Sequence, residues 1–187
     1  MIPTAPLRVR NRLAEIILAA LENPQARREL ATLGEVDAAA PDWLEGDDLA
    51  CRPLVRARAL SALAALGARA PGKIRALAEV LDAAATLFDA HLYFEVHELL
   101  EPSWREAEGD EREALQGLIQ IAVGYQHLAN GNLAGARALL EEGRRRIQGR
   151  KLAGLDLDEF GQGVASSPDR LFQLDWGAVP PFPRPKS

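Results

Sequence analysis

Apolar residues recur at helical spacing through most of the first half of the chain. In residues 7–21, leucine, isoleucine and alanine return every three or four positions, which predicts an amphipathic first helix. Asparagine followed by proline at 23–24 predicts an N-cap and a second helix that runs to Leu33. A third helix is predicted over residues 53–66. Residues 34–52 carry six acidic residues without periodicity and are interpreted as an irregular arm with a solvated acidic surface.

Four further helices are predicted over residues 73–88, 92–101, 109–128 and 133–147. Pro102 removes one backbone donor and crowds the carbonyl group four residues earlier, so the helix that contains it should kink or end nearby. No segment alternates apolar and polar residues in the manner of a strand. The predicted fold class is therefore all-α.

Two junctions between these helices resemble each other. Residues 87–92 and 128–133 both predict a helix, a tight turn and a second helix, at an offset of 41 residues. This similarity predicts two antiparallel helix pairs, at 73–101 and 111–148, stacked as the centre of a compact helical domain.

The whole chain, residues 1–187, is predicted to form a single domain. Residues 73–148 would be its centre, and residues 1–70 would form an arm that packs additional N-terminal helices on the same core. Residues 149–187 should contain short helices and a proline-rich tail. This last part is divided into a short helix at 155–160, a turn of helix at 168–174 that is capped by Ser167, and an extended tail at 179–185.

Composition narrows the possible functions. The chain has 187 residues and a net charge of -5, which argues against a general nucleic-acid surface, because phosphate binding needs clustered lysine and arginine. Its one cysteine, Cys51, cannot form an internal disulfide and suits a reducing compartment. No apolar run approaches the roughly 20 residues of a membrane span, and no secretory signal is evident. We therefore expect a cytoplasmic protein with neither membrane nor nucleic acid as a partner.

Side chains that could bind a ligand or take part in catalysis are most concentrated in residues 94–104, where three carboxylates, an imidazole and an indole occupy one predicted helix. Helical spacing places four of them on one side together with Phe94: His97, Glu98, Glu101 and Trp104. His97 and Glu101 are four residues apart, and Glu98 and Glu101 are three apart. Either pair could chelate one ion or share one proton.

The next long helix offers partners for these carboxylates. Gln116 and Gln120 are four residues apart and share one stripe. An amide side chain can donate to a carboxylate without adding charge. If the two helices pack antiparallel, we expect Glu98 and Glu101 to point into the interior towards Gln116 or Gln120, with His97 close by.

The same residues resemble a known family. The segments that carry the resemblance are Phe-Glu-Val-His-Glu-Leu-Leu-Glu at 94–101, Trp104, Leu-Gln-Gly-Leu-Ile-Gln at 115–120, Gly-Asn-Leu at 131–133 and Gly-Ala at 135–136. Over about residues 84–147 the chain resembles the bacterial and archaeal family called domain of unknown function 309. The resemblance implies a compact, all-helical arrangement of helix pairs, and it implies no activity. The residues at its motif positions are Glu95, His97, Glu98, Glu101, Trp104, Gln116, Gly117 and Gln120.

The chain departs from the family pattern at two positions. His91 stands where the family tends to have glycine in the first turn, and we expect it to take the left-handed conformation of that glycine. Pro102 stands where a helix-continuing residue would be more usual.

The polar cluster has two interpretations, a metal site and a structural network. Imidazole and carboxylates are suitable ligands for zinc, manganese or iron, so His97, Glu98 and Glu101 could hold a metal ion. A hydrogen-bonded network that fixes the helix register is the structural alternative. The function favoured by the sequence is a non-enzymatic binding or interaction module for a small polar ligand or a protein partner. The alternative is a metal-dependent hydrolase that uses the same cluster.

Overall fold

A computed structural model describes residues 5–167 and 175–184 of the chain. The described part is predominantly helical, which confirms the all-α class. Its α-helices are α1 Leu7–Ala19, α2 Pro24–Gly34, α3 Arg52–Leu66, α4 Leu77–Asp89, α5 Tyr93–Glu106, α6 Gly109–Ala129, α7 Leu133–Ile147 and α8 Asp158–Ser166. Short 3-10 turns cover Gly46–Cys51 and Trp176–Ala178. Within residues 5–167 and 175–184, no helix has both the length and the apolar character needed to cross a bilayer.

A small hairpin was not expected from the sequence. Strand β1, Lys151–Leu152, pairs with antiparallel strand β2, Leu155–Asp156. The turn between them contains Gly154 with a φ of 81°. With two residues in each strand, the alternation is too short to be recognised in the sequence. The short helix predicted at 155–160 is instead α8, which begins only after this hairpin, and the predicted turn of helix at 168–174 lies outside the described residues.

The chain divides into two compact units, residues 3–74 and residues 75–187. The predicted single domain, in which residues 1–70 pack on the core of residues 73–148, stays a prediction. Helices α1, α2 and α3 belong to the first unit. The second unit contains α4 to α8, the hairpin and the described tail.

The first unit follows its local sequence signals closely. Asn23 Oδ1 accepts a hydrogen bond of 2.8 Å from the Gln25 amide, which is the predicted cap of α2. The acidic arm is less solvated than expected, because Asp48 is buried and forms an ion pair with Arg8. A buried carboxylate needs such a partner.

The second unit contains the stacked helix pairs. α4 packs on α5, α6 packs on α7, and α5 lies against α6, as the sequence predicts. Large side chains that are fully buried in this unit include Leu81, Leu87, Phe88, Leu92, Tyr93, Leu100 and Tyr125. A buried side chain of this size contributes roughly 1.5–3 kcal/mol to folding.

The two turns within these pairs have the same hydrogen bonds. The Leu92 amide donates to the Leu87 carbonyl and the Asn132 amide to the His127 carbonyl, each at 2.9 Å. His91, with a φ of 59°, corresponds to Gly131, with a φ of 79°. This confirms that His91 takes the left-handed conformation of a turn glycine. Because α5 begins at Tyr93 and α7 at Leu133, the true offset is 40 residues, and the predicted offset of 41 is wrong.

Two helix boundaries differ from the prediction. α4 begins at Leu77 instead of residue 73, and the Glu79 carboxylate accepts hydrogen bonds from the Arg75 and Ala76 amides at its N-terminus. These bonds satisfy backbone donors that a helix leaves open at its start. α5 continues through Pro102 to Glu106, so the helix loses one backbone bond without ending there.

α6 and α7 approach each other closely at glycine positions. A β-carbon added to Gly117 would lie 2.6 Å from Ile147 Cγ2 and 2.8 Å from the Gly143 carbonyl oxygen. A β-carbon added to Gly143 would lie 2.7 Å from the Gly117 carbonyl oxygen. Gly117 therefore permits the close packing of these two backbones.

Candidate functional site

The core-facing residues of α5 determine where its polar side chains lie. Tyr93, Val96 and Leu100 are buried, with at most 1% of each exposed. They recur at spacings of three and four residues, as expected for the buried stripe of an amphipathic helix. His97, Glu98 and Glu101 lie beside that stripe and are half-buried.

These three residues form one compact group. One ligand atom from each of His97, Glu98 and Glu101 can be chosen so that all lie within 4.8 Å of one another. His97 Nδ1 is 3.0 Å from Glu98 Oε1. The exposed fractions of the three side chains are 29%, 37% and 28%. The group is therefore accessible to a solute.

A cation already competes for one of the carboxylates. Arg105 donates to Glu101 Oε1 at 2.7 Å, and the Arg105 side chain is 66% exposed. Such an exposed pair between residues i and i+4 contributes little, about 0.3–0.5 kcal/mol. The guanidinium can thus leave Glu101 when another cation binds.

The structure corrects the expected position of the two carboxylates. Glu98 and Glu101 are partly exposed instead of pointing into the interior. Among the described residues, neither is hydrogen-bonded to Gln116 or Gln120, and Gln120 Oε1 is buried without a hydrogen-bond partner. A one-residue rotation along a helix is 100°, so the apolar stripe at Val96 and Leu100 turns the carboxylates away from the core.

Glu95 is the member of the predicted site that is buried. Only 1% of its surface is exposed, in contrast to the other carboxylates of α5. A buried carboxylate is strongly unfavourable unless it is paired and hydrogen-bonded. We therefore assign Glu95 to the interior of the unit and not to the accessible group.

Trp104 contacts a residue that the sequence did not single out. The Arg112 guanidinium lies 4.2 Å from the centre of the Trp104 ring. It also donates to the carbonyl groups of Trp104, Arg105 and Ala107, at 2.8, 3.3 and 3.3 Å. Arg112 thus satisfies carbonyl groups at the C-terminus of α5 and holds the indole. The only sequence signal was an arginine in the first turn of α6.

An aromatic cluster lies at the start of α5. Phe88 contacts Tyr93 and Tyr125 edge to face, with ring centres 5.1 and 5.5 Å apart. His91 Nδ1 and the Tyr93 hydroxyl are hydrogen-bonded at 2.6 Å. Burial raises the pKa of Tyr93, and the neighbouring Tyr125 and Asp89 act in the same direction. Tyr93 therefore stays neutral well above physiological pH.

Tyr125 has a second polar partner. Its hydroxyl is 3.0 Å from Ser167 Oγ, which in turn donates to the Val164 carbonyl. Burial raises the pKa of Tyr125 to about 12, although the hydrogen bond with Ser167 acts in the opposite direction. Partial burial lowers the pKa of His91, and Asp89 partly offsets that effect.

Fold and site together define an all-α domain of stacked helix pairs with an accessible imidazole–carboxylate group on one helix. The family described as "Domain of unknown function (DUF309)" matches residues 81–139 of this chain. This match confirms the resemblance seen in the sequence. It covers all of α5 and α6, and so includes His97, Glu98 and Glu101. No curated protein and no solved structure matches the chain.

Proposed function

We propose that the protein is a non-enzymatic binding module that binds a cation on the face of α5 formed by His97, Glu98 and Glu101. The observation that supports this proposal is the compactness of the group, with its ligand atoms within 4.8 Å of one another. One imidazole nitrogen and two carboxylate oxygens are a donor set that suits zinc, manganese or iron. Partial exposure of all three side chains gives a small cation direct access.

Exposure also favours binding over catalysis. A hydrolytic metal centre works in a dry, shaped cavity that excludes competing water. Here Glu98 is 37% exposed and Glu101 is 28% exposed. Bulk water would reach the metal, and the carboxylates would lie in a high dielectric. We therefore prefer a module that holds a metal ion, or the cationic group of a partner, at its surface.

One feature supports the alternative, a metal-dependent hydrolase. Three protein ligands leave a fourth position of a tetrahedral metal free for water, as in catalytic zinc sites. In that case His97, Glu98 and Glu101 would hold the metal, and the bound water would be the nucleophile. Hydrolysis of activated esters or phosphoesters by the zinc-loaded or manganese-loaded protein, lost in His97→Ala, would favour this alternative.

The location and partners are further parts of the proposal. We place the protein in the cytoplasm, because its single cysteine, Cys51, is free and suits a reducing compartment. The net charge of -5 disfavours a nucleic-acid partner. We expect the ligand to be a small polar cation or a protein that presents one.

Metal titration of the chelator-treated full chain tests the proposal. Zinc or manganese at about 100 times its dissociation constant should raise the free energy of unfolding by about 2.7 kcal/mol. His97→Ala and Glu101→Gln should lose this gain. Arg105→Ala should bind more tightly than wild type, because the competing guanidinium is gone.

The matched control is Glu106→Gln. Glu106 is an exposed carboxylate near the end of α5 and lies outside the group. Its neutralisation makes the same change in net charge as Glu101→Gln, so it should leave the metal response intact. Absence of any metal response in wild type, or equal losses in Glu106→Gln and Glu101→Gln, would contradict a specific site.

A further inference from the structure

The C-terminal residues 180–184, here called the C-terminal strap, lie against α4 and α8 of the same unit. Their central residue, Phe182, is only 2% exposed. Its ring centre lies 5.1 Å from that of Phe88 in α4 and 5.4 Å from that of Phe160 in α8. Such tilted aromatic contacts are favourable beyond the area that they bury. The strap thus inserts an aromatic anchor between two helices.

One carboxylate at the end of α4 holds the strap in register. The Phe182 amide donates to Asp89 Oδ1 at 3.0 Å, and the Arg184 guanidinium donates to Asp89 Oδ2 at 2.7 Å. Arg184 Nη1 also lies 3.6 Å from Oδ1 of Asp82, which is about two helical turns before Asp89. Asp89 therefore recognises a backbone amide and a basic side chain two residues later.

A glycine in α8 makes room for the first residue of the strap. A β-carbon on Gly163 would lie 2.6 Å from Pro180 Cβ, so only glycine permits this contact. Phe182 is the buried residue of the strap, and Pro180 and Arg184 lie two positions before and after it. Pro180 contacts α8, the Phe182 ring contacts α4 and α8, and Arg184 binds Asp89 of α4. The helices therefore contact a pattern of proline, phenylalanine and arginine.

We propose that this surface of α4 and α8 is a peptide-binding groove, and that the C-terminal strap is its internal ligand. The external ligand is an extended segment of a partner protein with proline, phenylalanine and arginine at alternate positions. Proline-rich segments are often recognised by grooves lined with aromatic residues, and an arginine on a carboxylate adds a charge-assisted hydrogen bond. This groove is separate from the cation group on α5 and does not depend on it.

The strap is held in a manner that allows exchange. Its polar contacts are partly exposed, since the Asp89 and Arg184 side chains are 32% and 44% exposed. Ion pairs of this exposure are weak. A cavity of about 390 Å³ also remains beside the strap, and its lining includes the carboxylates of Asp156 and Glu159. The groove is therefore acidic and incompletely filled, which suits a basic ligand that competes with the strap.

Fluorescence polarisation with a labelled peptide tests the proposal. The probe is a synthetic peptide with the sequence of residues 178–187, and the acceptors are full-length chains. Phe182→Ala removes the anchor of the internal ligand, so this variant should bind the peptide at least about tenfold more tightly than wild type, in which the strap competes. A peptide with alanine in place of its phenylalanine or its arginine should bind about tenfold more weakly.

The role of Asp89 is tested in the same background. Phe182→Ala combined with Asp89→Asn should weaken peptide binding about tenfold, because the charge-assisted bond to arginine is lost. Phe182→Ala combined with Glu106→Gln is the matched control. Glu106 is an exposed carboxylate of α5 that does not line this cavity, so the double variant makes the same change in net charge and should bind like Phe182→Ala alone.

Three results would overturn the proposal. The first is a folded Phe182→Ala protein that does not bind the peptide, and the second is binding that is insensitive to Asp89→Asn. The third is a dimer of the chain that the added peptide dissociates. In that case the ligand of the groove would be the strap of a second copy and not a segment of another protein. If Phe182→Ala does not fold, Arg184→Ala replaces it as the acceptor. Arg184 is a surface residue, and its removal weakens the strap without opening the aromatic core.

Discussion

Gly117→Ala tests whether the contact between α6 and α7 depends on a missing side chain. By helix propensity alone this change should stabilise α6 by about 1 kcal/mol. The structure predicts that the substitution instead lowers the free energy of unfolding. The new methyl carbon would lie 2.6 Å from Ile147 Cγ2, which rotation of that side chain could relieve, but also 2.8 Å from the Gly143 carbonyl oxygen, which belongs to the backbone. The helices would have to separate.

The expected magnitude follows from these opposing effects. Overpacking a close-packed interior costs about 1–3 kcal/mol or more. Because backbone displacement is needed, we take the upper part of that range. After subtraction of the propensity gain of about 1 kcal/mol, Gly117→Ala should destabilise by about 1–2 kcal/mol. For a chain of this size, that is a fall in Tm of roughly 2–8 °C.

Gly161→Ala is the matched control, because Gly161 lies in α8 and faces the same isoleucine. A β-carbon on Gly161 would lie 3.5 Å from Ile147 Cδ1, an ordinary contact distance. This variant should be neutral or more stable by up to about 1 kcal/mol. Both glycines belong to the unit of residues 75–187.

Urea unfolding followed by tryptophan fluorescence measures both variants. The background is Trp43→Phe, which leaves Trp104 and Trp176, both in residues 75–187, as the only reporters. Unfolding of the other unit then does not contribute to the signal. If Gly117→Ala were as stable as Gly161→Ala, the close approach of α6 and α7 would not limit the side chain at this position.

Two further predictions concern side chains of the same unit. In Tyr93→Phe, the one remaining tyrosine is Tyr125, and tyrosinate absorbance should show that it ionises at about pH 12. Its pKa in the unfolded chain is near 10. Its contribution to the free energy of unfolding is therefore complete below pH 10 and is lost as the pH rises through 12. Titration near pH 10 in the native protein would contradict its burial. Arg112→Ala should destabilise by about 1–3 kcal/mol, measured by urea unfolding, because it leaves the carbonyl groups at the end of α5 unpaired. Arg112→Lys should recover less than half of this loss, since lysine lacks the planar fork; full recovery would reduce the role of Arg112 to its charge.

Local signals in the sequence predicted those parts of the fold that depend on neighbouring residues. The cap at Asn23 depends on chemistry within a few positions. The left-handed turn at His91 was predicted from the resemblance to a family that tends to have glycine there. The start of α4 shows the limit of this approach. Apolar spacing extends back to Ile74, yet the Glu79 carboxylate binds the Arg75 and Ala76 amides and the helix begins at Leu77. Periodicity alone does not reveal which residue provides such a cap.

Contacts between distant residues were not predictable in the same way. The sequence indicates only a turn at Asp89. In the structure its carboxylate binds Phe182 and Arg184, which lie 93 and 95 residues later in the chain. The proline-rich tail was correctly interpreted as non-helical, since residues 180–184 contain neither helix nor strand. Its docking depends on Gly163 and on an aromatic pocket formed only after α4 and α8 pack. No single-sequence pattern joins those segments.

The position of the polar group on α5 changes how its variants should be interpreted. Had Glu98 and Glu101 been buried against the facing helix, removal of either would cost about 3–5 kcal/mol, and any loss of binding would be confounded with unfolding. The residues buried on α5 are instead Tyr93, Val96 and Leu100. The carboxylates are partly exposed, and surface substitutions usually change stability by less than about 0.5 kcal/mol. Because those apolar residues hold the helix and the carboxylates are only partly buried, we expect that the ligand response of the site can be removed in a protein that remains folded.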